Sequence, residues 1–379
     1  MQTFVVKHYA FIILAVAYFG LVRSLRYKRA NKIASAFTNG RRQLSSMTTQ
    51  EAFDILTQLQ SLEFPYAINK ARSIALLKAG GIPSMSKLFA VTGQNNTRNA
   101  GKRAVDTEIL LRESQTQPPD TERYMNAVAR MNYLHARYRK AGKILDEDLL
   151  HTLGDGALEI VHVIDSEEWR KLTDVEKCAV GIFHRNLGED MEIPFTPLKS
   201  CETGWRDGLH FVAELIEWTR EYEKQVAKPT TTGDHIEAPG PFVSALLLII
   251  RNLRKLFLRH FSLPRPEFLA YSSVSSTPNA EGLYNFSHAG FQPWYIQPSF
   301  WTIWSPGSVL LRALGARKPG SNGDRYKPKG YDLKTIGPAP QEGKGFKEME
   351  ATVEFMKSRG VGECPFAAVK QRKEFAAKE

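Results

Sequence analysis

Read as a helix, the stretch Glu122 to Ala141 puts Val128, Met131, His135 and Tyr138 on one face, since side chains recur on the same side roughly every 3.6 residues. His135 therefore points among apolar neighbours. An imidazole so placed serves either as a core histidine bonded to a carbonyl or as an axial ligand to haem iron, which wants a neutral imidazole held rigidly in an apolar cleft. Arg139, one turn further on, is positioned to meet a carboxylate such as a haem propionate. Upstream, Arg103, Asp106, Thr107 and Leu110 also share a helical face, where a cation, a carboxylate and a hydroxyl converge. That face reads either as an intrahelical Arg–Asp pair or as the distal side of an oxygen-binding pocket, where hydrogen-bond donors and controlled access decide what bound dioxygen does.

Other metal chemistries find less support. Cys178, Cys201 and Cys364 lie far apart with no CxxC pair, which argues against a zinc ribbon or a disulfide framework. The stretch Gly360-Val361-Gly362-Glu363-Cys364-Pro365-Phe366 lacks the preceding Phe-x-x-Gly expected of a thiolate-ligated haem loop.

The elements that must position these residues are helical. Helix signals dominate from Thr48 to Tyr222, and strict apolar/polar alternation is scarce. Helices are expected from Thr48 or Thr49 to Gln60, over Ile68–Ala79 up to Gly80-Gly81, from Ile82-Pro83 onward, and over 103–115, 121–141, 146–164, 173–188 and 206–226. Thr173-Asp174-Val175-Glu176 has the form of a capping box. The chain of 379 residues is 42% hydrophobic and 24% charged, the balance of a folded globular protein. Its net charge of +11 is lopsided: Met1 to Arg42 holds eight Lys or Arg and no acid, and the rest carries 43 basic against 40 acidic residues. A folded body so evenly mixed argues against nucleic-acid binding.

The uncharged run Tyr9–Val22 is too short to span a bilayer, but Phe4–Val22 forms a helix of about 28 Å, close to the roughly 30 Å hydrocarbon core, with Lys7 near enough to the end to snorkel. Arg23, Arg26, Lys28, Arg29 and Lys32 follow at once, so the positive-inside bias predicts a single-pass anchor with the body in the cytosol. The sequons at Asn95 and Asn285 would then stay unused. The order expected is an anchor and basic segment over 1–45, a helical body over 46–312 and an extended Gly/Pro/Lys-rich tail over 313–379. Lys228 to Pro241 reads as a loop. Phe242 to Phe261 reads as a basic amphipathic helix, with Arg251, Arg254, Lys255 and Arg259 on one side; it either lies on anionic lipid or is buried with one charged face in water. The aromatic stretch Phe291–Trp304 suits either an apolar substrate or core packing.

Taken together, Gly80-Gly81-Ile82-Pro83-Ser84-Met85-Ser86-Lys87-Leu88 with Thr92-Gly93, Arg103-x-x-Asp106-Thr107, Ala129 to Arg139 with His135 inside it, and Tyr326 to Tyr331 followed by Gly337-Pro338 resemble the ER-bound oxygenase MpaB family. More remotely they resemble the latex-clearing rubber oxygenases. The resemblance covers about residues 70 to 340 and rests on the order and spacing of the motifs. It implies an all-α chain, a single helical haem-binding domain behind an N-terminal transmembrane anchor in the endoplasmic reticulum. It further implies haem b held through iron by His135, with dioxygen as co-substrate. Arg103 and Thr107 match an Arg-x-x-Lys-Thr group opposite the histidine, whereas Asp106 stands where those relatives have lysine, and a carboxylate cannot donate as ammonium does. The catalytic base has no counterpart by motif. The implied reaction is oxidative cleavage of a carbon–carbon double bond in a prenyl or terpenoid chain, in secondary metabolism. Other haem chemistry on the same scaffold, hydroxylation or peroxidation, and a non-catalytic membrane-tethered protein that binds lipid or a partner are the alternatives.

Overall fold

The computed structural model describes residues 2–37, 41–92, 99–226, 240–288, 290–360 and 365–366. Among them the chain is helical, with two isolated bridges, Val274 to Phe286 and Tyr284 to Tyr331, and no extended strand. The helices are α1 (Gln2–Arg26), α2 (Lys28–Ser35), α3 (Thr49–Gln58), α4 (Pro65–Ala79), α5 (Pro83–Val91), α6 (Ala100–Thr116), α7 (Glu122–Lys140), α8 (Asp146–Glu167), α9 (Asp174–Asp190), α10 (Gly208–Val226), α11 (Pro241–His260), α12 (Phe300–Trp304), α13 (Pro306–Ala313) and α14 (Phe346–Arg359). The expected helices are there with their caps. Thr48 Oγ1 accepts from the Glu51 amide at 3.1 Å, and Thr173 and Glu176 form the capping box that starts α9.

The core is a bundle around α8, whose Leu150, Ala157, Leu158 and Ile164 are buried. α4 runs antiparallel to it, pinned by Lys70 on Glu167 at 2.7 Å and Lys78 on Asp155 at 2.8 Å. α9 and α10 approach so closely that a Cβ on Gly181 would sit 1.9 Å from the Gly208 carbonyl oxygen, so glycine is required there for the two backbones to meet. α6 and α7 form an antiparallel hairpin fixed by Arg123 on Glu113 at 2.6 Å. Equal steps away from that bridge bring Arg103 level with Tyr133 and Thr107 level with Ala129, so at 1.5 Å per residue His135 lies about 3 Å along the hairpin from the level of Arg103 and about 9 Å from that of Thr107.

Three expectations change. The segment after residue 312 is not a loose tail: Tyr326, Tyr331, Leu333, Ile336, Met349 and Met356 are buried, and α14 packs on α7. Its clamp is Arg130, fully buried, whose guanidinium donates to the carbonyls of Ile336 at 2.6 Å, Lys344 at 2.7 Å, Gln341 at 2.8 Å and Thr335 at 3.1 Å. Second, α11 is docked by its basic side. Arg254 binds Glu168 at 2.8 Å, Lys255 donates to the Ser166 carbonyl and Arg251 lies 3.8 Å from Glu167, while the apolar side faces outward. Third, the span Phe4–Val22 lies inside the continuous helix α1, yet among the described residues no single helix is long and apolar enough to cross a membrane, so the single-pass anchor is not found. α4 and α5 would reach that length and composition only together, and they bend by 80° at the break between them.

The loop 228–239, the Asn95 sequon, Gly93 and Cys364 lie outside the described residues. Cys178 is buried, its Sγ 3.8 Å from the Leu44 carbonyl oxygen, and Asn285 has its amide tied to the Lys329 carbonyl at 3.2 Å.

Candidate functional site

His135 sits on the face of α7 that turns inward with Val128 and Met131. Its side chain is half-buried. Burial, and after it the Arg139 cation, push its pKa down to about 4, so the ring is neutral at physiological pH. Neither ring nitrogen has a hydrogen-bond partner among the described residues. That separates it from an ordinary core histidine, which would bond a carbonyl.

Arg139 does not point at an open carboxylate site. Its guanidinium binds Asp146 at 3.1 Å and the carbonyl of Glu192 at 3.0 Å, fastening the end of α7 to the starts of α8 and of the loop after α9.

Across the hairpin, Arg103, Asp106 and Thr107 divide. The Arg103 guanidinium stacks over the Phe89 ring of α5 at 3.7 Å, and desolvation lowers its pKa. Asp106 turns the other way. Its two oxygens accept from Tyr295 at 2.8 Å and from Lys102 at 2.8 Å, and Lys102 also donates to the Gly337 carbonyl at 2.6 Å. Desolvation nonetheless lifts the Asp106 carboxyl to about 6. The pairing expected at i, i+3 between Arg103 and Asp106 is replaced by one at i, i+4 with Lys102. Thr107 lies beside Arg103, half-buried, with no hydrogen-bond partner for its hydroxyl among the described residues.

α5 roofs this region. Besides the Phe89–Arg103 contact, Ser84 donates to Asp148 of α8 at 2.8 Å, and Met85 Sδ lies 3.9 Å from the Thr152 hydroxyl. The motif at 80–88 thus becomes a short helix bridging α6 and α8.

Two groups lie outside the motifs, the first of them a histidine in an expected helix that helical position alone does not exclude as a ligand. His184 on α9 is buried, with Nδ1 2.8 Å from the Val180 carbonyl oxygen and burial pushing it down to about 4; its Nε2 looks toward Gly156 of α8, where an added Cβ would stand 3.5 Å away. Arg72 on α4 is lowered to about 9 by burial and by the neighbouring Arg112, and is held by Gln60 at 2.6 Å and by Gln115. The π-turn Leu59–Glu63 carries Gln60, a local register change that helical periodicity does not foretell. Among the described residues no group of three or more His, Cys, Asp or Glu side chains could hold a metal ion, so an iron here would have to bring most of its own ligands.

Fold and site define the class: among the described residues, an all-helical protein with a neutral, half-buried imidazole on α7 and exposed apolar side chains along α1 and α11. The comparisons make it particular. The chain is 33% identical over 386 residues to the ER-bound oxygenase mpaB' of Penicillium brevicompactum, covering 91% of each. It is 34% identical over 335 residues to the ER-bound oxygenase mpaB of Penicillium brevicompactum, covering 84% of this chain and 86% of that one. It is 40% identical over 218 residues to the ER-bound oxygenase mpaB of Penicillium roqueforti, covering 57% of this chain and 73% of that one. The chain belongs to the ER-bound oxygenase MpaB family. No protein-family model and no solved structure matches it.

Proposed function

We propose that this chain is an oxygenase bound to the endoplasmic reticulum membrane, that it uses haem b and dioxygen, and that it cleaves a carbon–carbon double bond in the prenyl or terpenoid chain of a hydrophobic small molecule. The oxygenase part is supported by the names of three relatives. The haem part is supported by one observation above all: His135 is neutral and without a hydrogen-bond partner among the described residues, on the helix that packs against the one carrying Arg103 and Thr107.

A single neutral imidazole on α7 is compatible with axial ligation of the haem proposed here. His135 would hold its iron from α7, and when bound the group would supply the redox chemistry that activates dioxygen. What the chain itself contributes is placement. Thr107 offers an uncommitted hydroxyl, able to donate toward an oxygen atom that gains negative charge. Arg103, stacked on Phe89 of α5, adds a cation near that hydroxyl. Asp106, bound to Tyr295 and Lys102, braces α6 from behind. The apolar interior of the body suits a lipid-like substrate, and α1, with Phe11, Ile13, Leu14 and Val16 exposed, would hold the enzyme at the membrane where such a substrate dissolves, its body on the cytosolic side.

The test is the visible spectrum of the detergent-solubilised protein. The wild type is expected to show a Soret band that shifts on reduction, and His135→Ala to lose it while keeping its helical circular dichroism. His184 is also neutral, with Nδ1 at 2.8 Å from the Val180 carbonyl oxygen and Nε2 left over as a candidate ligand atom, so His184→Ala is the necessary comparison. Loss of the band from His184→Ala alone would move the ligand to α9.

A further inference from the structure

The orientation of α11 is the reverse of what a soluble surface helix adopts. Three of its cations point inward to the end of α8: Arg254 on Glu168, Lys255 on the Ser166 carbonyl and Arg251 near Glu167, with Arg254 also stacked on Tyr66 at 4.7 Å. Its apolar stripe, Phe242, Leu246, Ile249, Ile250, Leu253 and Phe257, faces outward along the full length of the helix, with Phe242 80% exposed. Scattered exposed leucines are normal on proteins; a continuous stripe over five turns is not.

We propose that α11 is a second membrane-docking element, lying in the plane of the same leaflet that α1 enters, with its apolar stripe against acyl chains and its basic side bound to the protein. The proposal rests on the membrane attachment of α1 proposed above and adds a different surface to it. Two observations commit the stripe to a lipid leaflet. The first is continuity with α1. The Tyr18 hydroxyl donates to the Phe261 carbonyl at 2.7 Å and the Phe19 ring meets the Phe261 ring at 5.2 Å, just before α1 becomes buried at Val22. The end of α11 is therefore level with the point where α1 leaves the body. The second is charge. No acidic residue occurs from Phe242 to Pro266 or anywhere before Glu51, while Arg23, Lys28, Arg259 and His260 are exposed around the stripe. Apolar side chains bordered by cations match acyl chains bordered by phosphates. A second copy of the chain would set those cations against each other.

The experiment places one environment-sensitive nitrobenzoxadiazole label at a time on cysteine in the full chain, in a background with Cys201→Ser and Cys364→Ser. The sites are Ile250→Cys and Leu253→Cys on the stripe, Leu14→Cys on α1 and Glu217→Cys on exposed α10. Each protein is reconstituted in phosphatidylcholine vesicles containing phosphatidylinositol and a lipid carrying a nitroxide at a shallow acyl position. Labels at 250 and 253 are expected to shift to the blue and lose most of their emission to the nitroxide, with the label at 217 unaffected. Quenching at 14 without any at 250 or 253 overturns the docking of α11 and leaves the anchor standing; no quenching at 14 either removes the membrane attachment itself. Labels at 250 and 253 that are shielded from aqueous iodide but untouched by the nitroxide would put a protein surface on the stripe, and the proposal falls.

Discussion

The Tyr295 hydroxyl donates a 2.8 Å hydrogen bond to Oδ1 of Asp106, joining the middle of α6 to a segment far along the chain. The carboxylate of Asp106 is thus a strut of the fold, and its consequence is a pH signature. Burial holds the Asp106 carboxyl at about 6 against an ordinary 3.8. The folded state binds that proton more tightly than the unfolded chain does. Its contribution to stability is therefore complete below about 3.8 and is lost as pH rises through about 6. Asp106→Asn should lose less stability than the wild type across that window, read as urea midpoints at a series of pH values. Tyr295→Phe, which strands the carboxylate, should cost about 1–3 kcal/mol. Superimposable pH profiles for wild type and Asp106→Asn would mean that the carboxylate is solvated.

His135 predicts the opposite sign. Its folded value of about 4 lies below the ordinary 6.5, so the fold favours the neutral ring. The stability this brings is complete above about 6.5 and is lost as pH falls toward 4. His184 adds a contribution in the same window. In cofactor-free protein, His135→Leu should flatten part of the acid-side slope of the denaturation midpoint. An unchanged slope would show a ring already open to water in the folded protein.

Arg130 carries the attachment of the C-terminal segment. Four carbonyls, of Thr335, Ile336, Gln341 and Lys344, depend on one guanidinium that is itself sealed from water. Arg130→Met keeps the stem and leaves the carbonyls without donors, at a cost of about 3–5 kcal/mol, the range for breaking a buried charged network. Limited proteolysis should then cut first within residues 335–345. A variant as stable and as resistant as the wild type would show that water replaces the guanidinium freely.

How far the sequence carried depended on the range of the interaction. Helices and their caps were legible because Thr48–Glu51 and Thr173–Glu176 are written within one turn. The inward face of His135 was legible too, since periodicity alone turns it toward Val128 and Met131. The partners of Asp106 were not. Helical spacing offered Arg103, whereas Lys102 and the distant Tyr295 hold it, and nothing local announces a contact with residue 295. The outward stripe of α11 was equally hidden: periodicity shows two faces, and which one meets the body is decided by Glu167 and Glu168 at the end of α8.

Thr107 isolates the distal chemistry from the architecture. Its hydroxyl bonds nothing among the described residues, unlike Thr92, Thr116 or Thr152, which bond back to their own helices. Thr107→Val keeps the shape and forfeits no protein hydrogen bond, so stability should stay within about 0.5 kcal/mol, as at sites free of special features. If the hydroxyl donates to an oxygen that gains charge during reaction, turnover should fall by roughly 10 to 1000-fold, as when an oxyanion donor is removed. The visible spectrum of the oxidised protein should not move, because Thr107 sits on α6 and the proposed ligand on α7. Thr107→Ser, which restores the donor, should recover most of the rate. Wild-type turnover in Thr107→Val would make this face of α6 a packing surface, and the distal side of the cleft would then fall to Arg103 and the α5 residues that cover it.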